Sequence, residues 1–349
     1  MSDIRQILTF GLWGILALVL LAIVVRIVGR WILSRAPKGG IQESSYIPLG
    51  GVEQWISIYG KDRNAPVLLY LHGGPGAATS THDYVFTRKW ADVYTVVTWD
   101  QRNCGKSWSA EQWDTALTYD MMMEDALELI LYLRRHLGVE KVTLLGHSWG
   151  SYLGANLALE YPQLVERFIG VGQLVDFFEN EQALKAEAAR WVGDDREGQA
   201  LLEKLSPGDR GPGHFEARRK LLKKYGYDMF AGGRDYSLPL AKFFCPYYSF
   251  RDYYQFTRST SRVYRDLVAS EEFDRFSLLG RHTYQVPYYN VNGDRDFQCN
   301  YQIAGSYFAR VEAPCKKLYT MKNMTHGLLE ARSKEFSRIL HEIASEMKD

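Results

Sequence analysis

Apolar residues fall into separate runs along the chain, and their spacing predicts alternating strands and helices. Short continuous runs predict buried strands at 66–71, 94–99, 142–145, 165–171, 287–291 and 315–321. Two further strands, at 45–48 and 54–59, are typical of the antiparallel start of a sheet. Apolar positions at helical spacing predict an amphipathic helix over 121–133. This order predicts an α/β fold, with a mostly parallel central sheet flanked by helices.

The alternation stops after residue 172, and the pattern from 173 to 284 is helical and aromatic. We therefore expect four parts: a membrane anchor and linker (1–40), two parts of one core (41–172 and 285–349), and an inserted helical cap (173–284). The aromatic residues of the cap either line an apolar pocket or hold the cap together; they are Phe177, Phe178, Trp191, Phe243, Phe244, Tyr247, Tyr248, Phe250, Tyr253, Tyr254 and Phe256.

Residues 7–25 carry no charge, and as a helix they would be about 28 Å long, close to the thickness of the bilayer interior. We expect a single membrane anchor, with a cleaved signal peptide and a buried core helix as the alternatives. Arg26, Arg30, Arg35 and Lys38 follow at once, and residues 36–40 break the helix. The positive-inside bias then predicts that the catalytic part lies on the cytoplasmic side.

Composition excludes several other classes of function. The formal net charge is +1, so no electrostatic attraction to nucleic acid is expected. Cys104, Cys245, Cys299 and Cys315 lie far apart without C-x-x-C spacing, which argues against zinc, a redox pair or a disulfide framework. The partners expected are a small molecule or short peptide as substrate and a lipid bilayer, and we expect neither a metal nor another cofactor.

A Gly-x-Ser-x-Gly motif at 146–150 follows a predicted strand and precedes a helical pattern. This context is typical of a nucleophile elbow, a tight turn that holds a serine hydroxyl at the carboxyl edge of a sheet. Small residues are needed at Gly146 and Gly150 because the turn is tight. Ser148 is the predicted nucleophile of an acyl-transfer reaction.

A glycine-rich loop, His-Gly-Gly-Pro-Gly at 72–76, follows another predicted buried strand. The backbone N–H of Gly73 or Gly74 and the N–H of Trp149 could together bind an oxyanion; a plain turn is the alternative. We expect Asp100 and Arg102 to brace the next loop through an ion pair.

Three motifs in this order carry a family resemblance: HGGPG at 72–76, WDQRNCGKS at 99–107 and GHSWGS at 146–151. Together they resemble the prolyl iminopeptidase-type branch of the α/β-hydrolase family, from about residue 45 to the end of the chain. The family usually has glycine at position 103 and often at 147, where this chain has asparagine and histidine.

The resemblance implies a catalytic triad in the chain order serine, aspartate, histidine. Ser148 is the nucleophile and His326, in the loop after the last strand, is the base. Asp296 matches the family's Gly-x-x-Asp turn and is the expected acid, with Asp294 as the alternative.

The implied activity is a serine hydrolase that releases an N-terminal residue, proline first, from a peptide. Such enzymes hold the free α-amine with cap carboxylates, and Glu179 and Glu181 are the candidates; plain surface solvation is the alternative for both. A membrane-associated esterase or lipase would use the same triad. A non-catalytic binding protein on this fold is the alternative of another class. An epoxide hydrolase or dehalogenase is disfavoured, because those enzymes use an aspartate nucleophile at the elbow, where this chain has serine.

Overall fold

The computed structural model describes residues 2–112, 115–249, 251–254, 256 and 263–346, with side chains from Gln6 onwards. An eight-stranded sheet lies at its centre, in the order β1-β2-β4-β3-β5-β6-β7-β8. The strands are β1 (Ile41–Leu49), β2 (Val52–Gly60), β3 (Val67–Leu71), β4 (Thr95–Trp99), β5 (Val142–His147), β6 (Val165–Val171), β7 (Tyr288–Gly293) and β8 (Lys316–Met321).

Strand direction divides the sheet into two regions. β1 pairs antiparallel with β2, and β2 antiparallel with β4, whereas every other neighbouring pair is parallel. All eight strands that the sequence predicts are found, with ends that differ by a few residues. The predicted α/β architecture with a mostly parallel sheet is confirmed.

Helices cover both faces of the sheet. In the described part of the chain, the helices are α1 (Ser2–Leu33), α2 (Tyr84–Thr87), α3 (Tyr119–Leu137), α4 (Trp149–Glu160), α5 (Phe177–Val192), α6 (Arg196–Leu202), α7 (Pro212–Lys224), α8 (Leu238–Phe244), α9 (Tyr301–Arg310), α10 (Leu328–Ala331) and α11 (Ser333–Ser345). Alternate residues of β3 show why both faces are covered. Val67, Leu69 and Leu71 join the core with α3 and α4, whereas Leu68 and Tyr70 join the core with α11.

Helices α5 to α8 lie between β6 and β7 in the chain, where the sequence predicts a cap. The described residues from 264 to 275 add one short π-helical and one short 3₁₀ segment. No strand of the central sheet lies among the described residues of this stretch. The cap therefore enters after β6 and returns to the sheet at β7.

Helix α1 extends well beyond the predicted apolar run. Its segment Gln6–Leu33 is long and apolar enough to cross a membrane, with a mean hydropathy of 2.7 and no buried residue in its most apolar window. The last turns pack against α8. The Arg26 guanidinium donates to the carbonyl oxygens of Phe243 and Tyr248, each at 3.0 Å. The helix is thus joined to the cap before the chain reaches the predicted break at 36–40.

Candidate active site

Ser148 lies in the turn between β5 and α4, with φ 56° and ψ −123°. A β-carbon on Gly146 would lie 2.1 Å from the carbonyl oxygen of Gly150, and one on Gly150 would lie 2.1 Å from that of Leu71. Any larger residue would overlap the backbone, so the turn requires glycine at both positions. The Ser148 N–H donates to Val171 O at 2.9 Å and fixes the turn against β6.

Asp296 and His326 follow the ends of β7 and β8, which are neighbouring parallel strands. Asp296 Oδ2 lies 2.7 Å from His326 Nδ1, and both side chains are buried. The other carboxylate oxygen accepts the N–H groups of Gln298 at 2.9 Å and Cys299 at 3.0 Å. Because a carboxylate only accepts, Nδ1 carries the proton and Nε2 of the neutral ring is left as an acceptor.

The alternative acid, Asp294, points elsewhere. Its carboxylate lies 3.7 Å from Lys322 Nζ and is 25% exposed, whereas the Asp296 side chain is fully buried. The structure therefore brings Asp296, and not Asp294, to His326.

His326 and Ser148 line one cavity. His326 Nε2 is buried there and has no hydrogen-bond partner among the described residues. The Ser148 hydroxyl lies 3.8 Å from Cys299 Sγ. A β-carbon on Gly172, which has φ 51°, would lie 3.1 Å from both His326 Nδ1 and Asp296 Oδ2. Sequence reasoning missed Gly172, although a glycine directly after a buried strand is a signal of close backbone approach.

The glycine-rich loop lies beside Ser148. A β-carbon on Gly73 would lie 3.0 Å from the Ser148 β-carbon. Gly74 has φ 123°, and a β-carbon there would lie 2.5 Å from the Gly76 nitrogen, so only glycine fits. Within the described part of the chain, the N–H groups of Gly74 and Trp149 have no hydrogen-bond partner. The loop and the start of α4 thus offer two free donors near the serine.

Comparison with known proteins supports the fold. A family model described as alpha/beta hydrolase fold matches residues 66–202. A probable aminopeptidase of Bacillus subtilis is 25% identical over 83% of this chain and 92% of its own length. The crystal structure of a proline iminopeptidase-related protein from Thermus thermophilus has a TM-score of 0.59 at 22% identity, covering 86% of this chain and 96% of that one. The chain has the α/β-hydrolase fold.

The predicted resemblance to prolyl iminopeptidase-like α/β-hydrolases is likewise confirmed. A third similarity covers the whole of both chains. The crystal structure of a membrane phospholipase A, a bacterial virulence factor, has a TM-score of 0.63 at 18% identity over 100% of each chain. Together these matches support a hydrolase, and the relatives it resembles include proteins named as aminopeptidases.

One predicted contact in this chain is wrong. Arg102 does not pair with Asp100; it forms a two-pronged ion pair with Asp125 of α3, at 2.5 and 2.7 Å. Asp100 instead accepts the Ser80 hydroxyl at 2.7 Å and the Lys106 N–H at 2.8 Å. The chain turns between the two residues, so the acid faces its own loop and the guanidinium reaches a helix. Burial raises the pKa of Asp100 to about 6.

Gln101 is a bracing residue that sequence reasoning missed, although it lies inside the second motif. Its side-chain amide donates to His72 O and accepts from Trp149 Nε1, each at 3.1 Å. It therefore ties the glycine-rich loop to the residue after the serine. Burial lowers the pKa of His72 to about 4. Burial and the neighbouring His326 likewise lower the pKa of His147 to about 4.

The two glutamates proposed to hold an amine do not lie free in the cavity. Glu179 is exposed in the first turn of α5, where Asp176 caps its N–H at 2.8 Å. Glu181 is buried, and its two oxygens accept from His214 Nε2 and Arg218 Nε, each at 2.9 Å. Burial opposes ionisation of Glu181, but Arg218 and His214 outweigh it and hold the pKa below its ordinary value.

The cavity has two chambers that meet at Ser148, Gly74 and Gln298. The histidine chamber, of about 240 Å³, is lined among others by His147, His326, Met229, Phe230, Arg234 and Glu330. The Arg218 chamber, of about 190 Å³, is lined among others by Leu174, Phe177, Phe215, Arg218, Tyr264, Phe273 and Cys299.

Glu330 is the single acidic residue among the described residues that line either chamber. Its carboxylate already accepts from Arg234 Nε and the Tyr236 hydroxyl, and it lies 3.3 Å from His82 Nε2. Burial opposes its ionisation, but these three partners hold the pKa at about 2. The site therefore offers no unpaired carboxylate in its described part.

Most aromatic residues of the cap hold the cap together rather than line the site. Phe177 does line the Arg218 chamber. Trp191 instead stacks on Tyr227 with ring centres 4.2 Å apart, and the Phe244 ring packs beneath Gly29 of α1. Phe250 lies outside the described residues.

Proposed function

We propose that the protein is a serine hydrolase that works through an acyl-enzyme. One observation carries the proposal: His326, oriented by Asp296 at 2.7 Å, leaves its Nε2 unbonded in a cavity that Ser148 lines. This is the arrangement that a general base needs beside its nucleophile.

The reaction follows from these groups. Ser148 Oγ attacks a carbonyl carbon, and His326 Nε2 accepts the serine proton. Asp296 holds the ring and stabilises the imidazolium that forms. The N–H groups of Trp149 and of Gly74 or Gly73 stabilise the oxyanion. His326 then protonates the leaving group, and a water molecule that it activates cleaves the acyl-enzyme.

Replacing the nucleophile tests this mechanism. Ser148→Ala or His326→Ala should lower kcat by several orders of magnitude, up to about 10⁶-fold. Ser345→Ala is the control, because that residue is exposed and its hydroxyl bonds, among the described residues, only to Glu342 O of its own helix. Turnover near the normal rate in either active-site variant would rule out the proposed roles.

The first candidate substrate is a peptide with a free N-terminus. The probable aminopeptidase of Bacillus subtilis and the glycine-rich motif support it. In this proposal the protein is an aminopeptidase that releases proline or another N-terminal residue. Glu179 and Glu181 keep only an indirect role, since neither lines a chamber.

The second candidate is a carboxylic ester taken from a membrane, and two observations favour it. The described lining has no unpaired carboxylate to hold an amine. Helix α1 is apolar and exposed, and the similarity to the membrane phospholipase A includes this part of the chain. We propose that residues 7–25 anchor the protein in a bilayer, with the two core parts (41–172 and 285–349) and the cap (173–284) on the cytoplasmic side.

A side-by-side assay separates the two substrate classes. The full chain in detergent micelles would be given prolyl- and other aminoacyl-naphthylamides, and p-nitrophenyl esters of increasing chain length, with Ser148→Ala as the blank. Cleavage of amides only when the α-amine is free supports the aminopeptidase. Ester cleavage alone, rising with chain length, supports the esterase.

A further inference from the structure

The position of His326 distinguishes the two chambers. His326 lines the histidine chamber and not the Arg218 chamber. In the proposed reaction the imidazole protonates the leaving group, so the leaving group occupies the chamber that contains it. The acyl group then occupies the Arg218 chamber, where the Ser148 hydroxyl already lies against Cys299. This assignment rests on the proposed function.

Arg218 is the one charged residue among the described residues that line this chamber. Its Nε donates to Glu181 at 2.9 Å and its Nη2 to Gln298 O at 2.6 Å, which fixes the plane of the guanidinium. Its side chain is only 12% exposed. Among the described residues, no acceptor is bonded to Nη1. A fixed guanidinium with a free amino group is suited to an anion such as a carboxylate.

Tyr264 supplies a second, independent sign of a ligand. Its hydroxyl is buried and has no hydrogen-bond partner in the described part of the chain. Its ring packs edge-on against Phe215, 5.2 Å between centres, in the same chamber. A buried hydroxyl without a partner is destabilising, so a bound acceptor would relieve it. Tyr264 and Arg218 line the same chamber.

The approach to Arg218 from outside is also positively charged. Arg218 and Gln298 border a surface groove whose other charged lining residues are Arg219, Lys223 and Asp228. Arg219 and Lys223 outnumber Asp228, so the groove has a net positive charge and attracts anionic ligands. A cationic α-amine, in contrast, would meet a guanidinium and no carboxylate in the described lining of the chamber.

We propose that the Arg218 chamber is an acyl subsite for a substrate whose acyl group ends in a carboxylate, bound by Arg218 and Tyr264. A monoester of a dicarboxylic acid fits this description. The remaining lining, including Leu174, Phe177 and Phe273, would contact the methylene groups between the two ends.

The test compares two esters of the same length. The full chain in detergent micelles hydrolyses p-nitrophenyl hydrogen adipate, which ends in a carboxylate, and methyl p-nitrophenyl adipate, in which that end is neutral. The wild type should favour the acid in kcat/KM. Arg218→Gln should reduce that preference about 10- to 100-fold, the range for a hydrogen bond to a charged group, with little change on the neutral ester.

Arg190→Gln is the matched control, because Arg190 lies exposed on α5 and pairs only with Glu187. Its preference should equal that of the wild type. Tyr264→Phe leaves the pair of Arg218 and Glu181 intact and should reduce the preference several-fold. If Arg218→Gln unfolds the cap and loses activity on both esters, the preference measured in Tyr264→Phe still tests the subsite.

The outcomes separate this inference from the function on which it rests. No Ser148-dependent turnover of these esters or of the aminoacyl-naphthylamides contradicts the proposed hydrolase. Turnover of the amides without turnover of either ester overturns the subsite alone. Turnover without preference for the acid in the wild type overturns the subsite alone. A preference that survives Arg218→Gln, or that is unchanged in Tyr264→Phe, also overturns it.

Discussion

The turn at Ser148 borders the same cavity as the cap cluster, which consists of Glu181, His214 and Arg218 and reaches the cavity through Arg218. The geometry of the two regions has different origins. The turn is fixed by close backbone contacts, those of Gly146 with Gly150 and of Gly150 with Leu71. The cap cluster is fixed by side-chain partners 33 and 37 residues apart, which bury Glu181 between His214 and Arg218. The position of the serine therefore depends on steric limits of the backbone, whereas the cap side of the pocket depends on pairing between side chains.

Among the variants that compare these two regions, the largest effect is expected at the ends of β7 and β8, where Asp296 orients His326. Asp296→Asn should lower kcat by about 10⁴-fold, because an amide in place of the carboxylate favours the wrong tautomer of His326. Steady-state kinetics on whichever substrate the wild type cleaves would measure it.

Asp294→Asn is the matched control for this variant. It removes only a partly exposed contact with Lys322, so kcat should stay within a few-fold of normal. Equal losses in the two variants would mean that the acid has been assigned wrongly.

Acid should weaken the core before it weakens the cap cluster. His72 and His147 have folded pKa values of about 4 because both are buried. Between pH 6.5 and 4 the unfolded chain binds protons that the folded chain does not, so stability falls as pH falls through this range. The loss is on the order of 3 kcal/mol per histidine. Glu181 has a lowered pKa, and its contribution is lost only as pH falls below its ordinary value of 4.5.

Chemical denaturation of the full chain in detergent at several pH values would measure this loss. His147→Gln keeps an amide donor for the His326 carbonyl, which His147 Nε2 approaches at 3.0 Å, and should make the fall between pH 6.5 and 4 shallower. His341→Gln, at a half-exposed site, should leave the slope unchanged. If the fall in stability between pH 6.5 and 4 were the same in His147→Gln as in the wild type, burial in the fold would not be what keeps the His147 ring neutral.

The same contrast explains what could be predicted from the sequence. The eight strands could be predicted from apolar runs or from alternation of apolar and polar residues. The turn at Ser148 could be predicted because its two required glycines are part of the motif. The pairing of Arg102 with Asp125 could not be predicted from the sequence around Arg102, because the partner lies 23 residues away on a helix. Helix α1 ends at Leu33, shortly before the predicted break at 36–40, but the contacts of its last turns with α8 could not be predicted from the apolar pattern.

A pair of glycine substitutions should sharpen the difference between the two regions. Gly150→Ala would place a β-carbon 2.1 Å from Leu71 O and should cost about 3 kcal/mol, together with activity. Gly213→Ala, in α7 of the cap, meets nothing within 4 Å and should stabilise by about 0.5–1 kcal/mol. Denaturation midpoints would compare them. Similar effects of both changes would contradict the view that close backbone contact fixes the turn but not this part of α7.

The smallest predicted effect concerns the junction of α1 with the cap. A β-carbon on Gly29 would lie 2.5 Å from Phe244 Cδ1, whereas one on Gly14 of the same helix meets nothing within 4 Å. Gly29→Leu should cost only about 1 kcal/mol, because the Phe244 ring can turn aside, unlike the backbone at Gly150. In a chain of this size that corresponds to about 2–4 °C in the thermal midpoint.

Gly14→Leu is the matched control, because it adds the same side chain to the exposed part of the helix and should leave the midpoint unchanged. Both variants would be measured as full chains in the same detergent. A lower midpoint for Gly29→Leu alone means that the last turns of α1 are part of the folded cap. Equal midpoints would mean that α1 acts only as a tether, and the cap would then owe its stability to the pairs around Glu181 and Glu330.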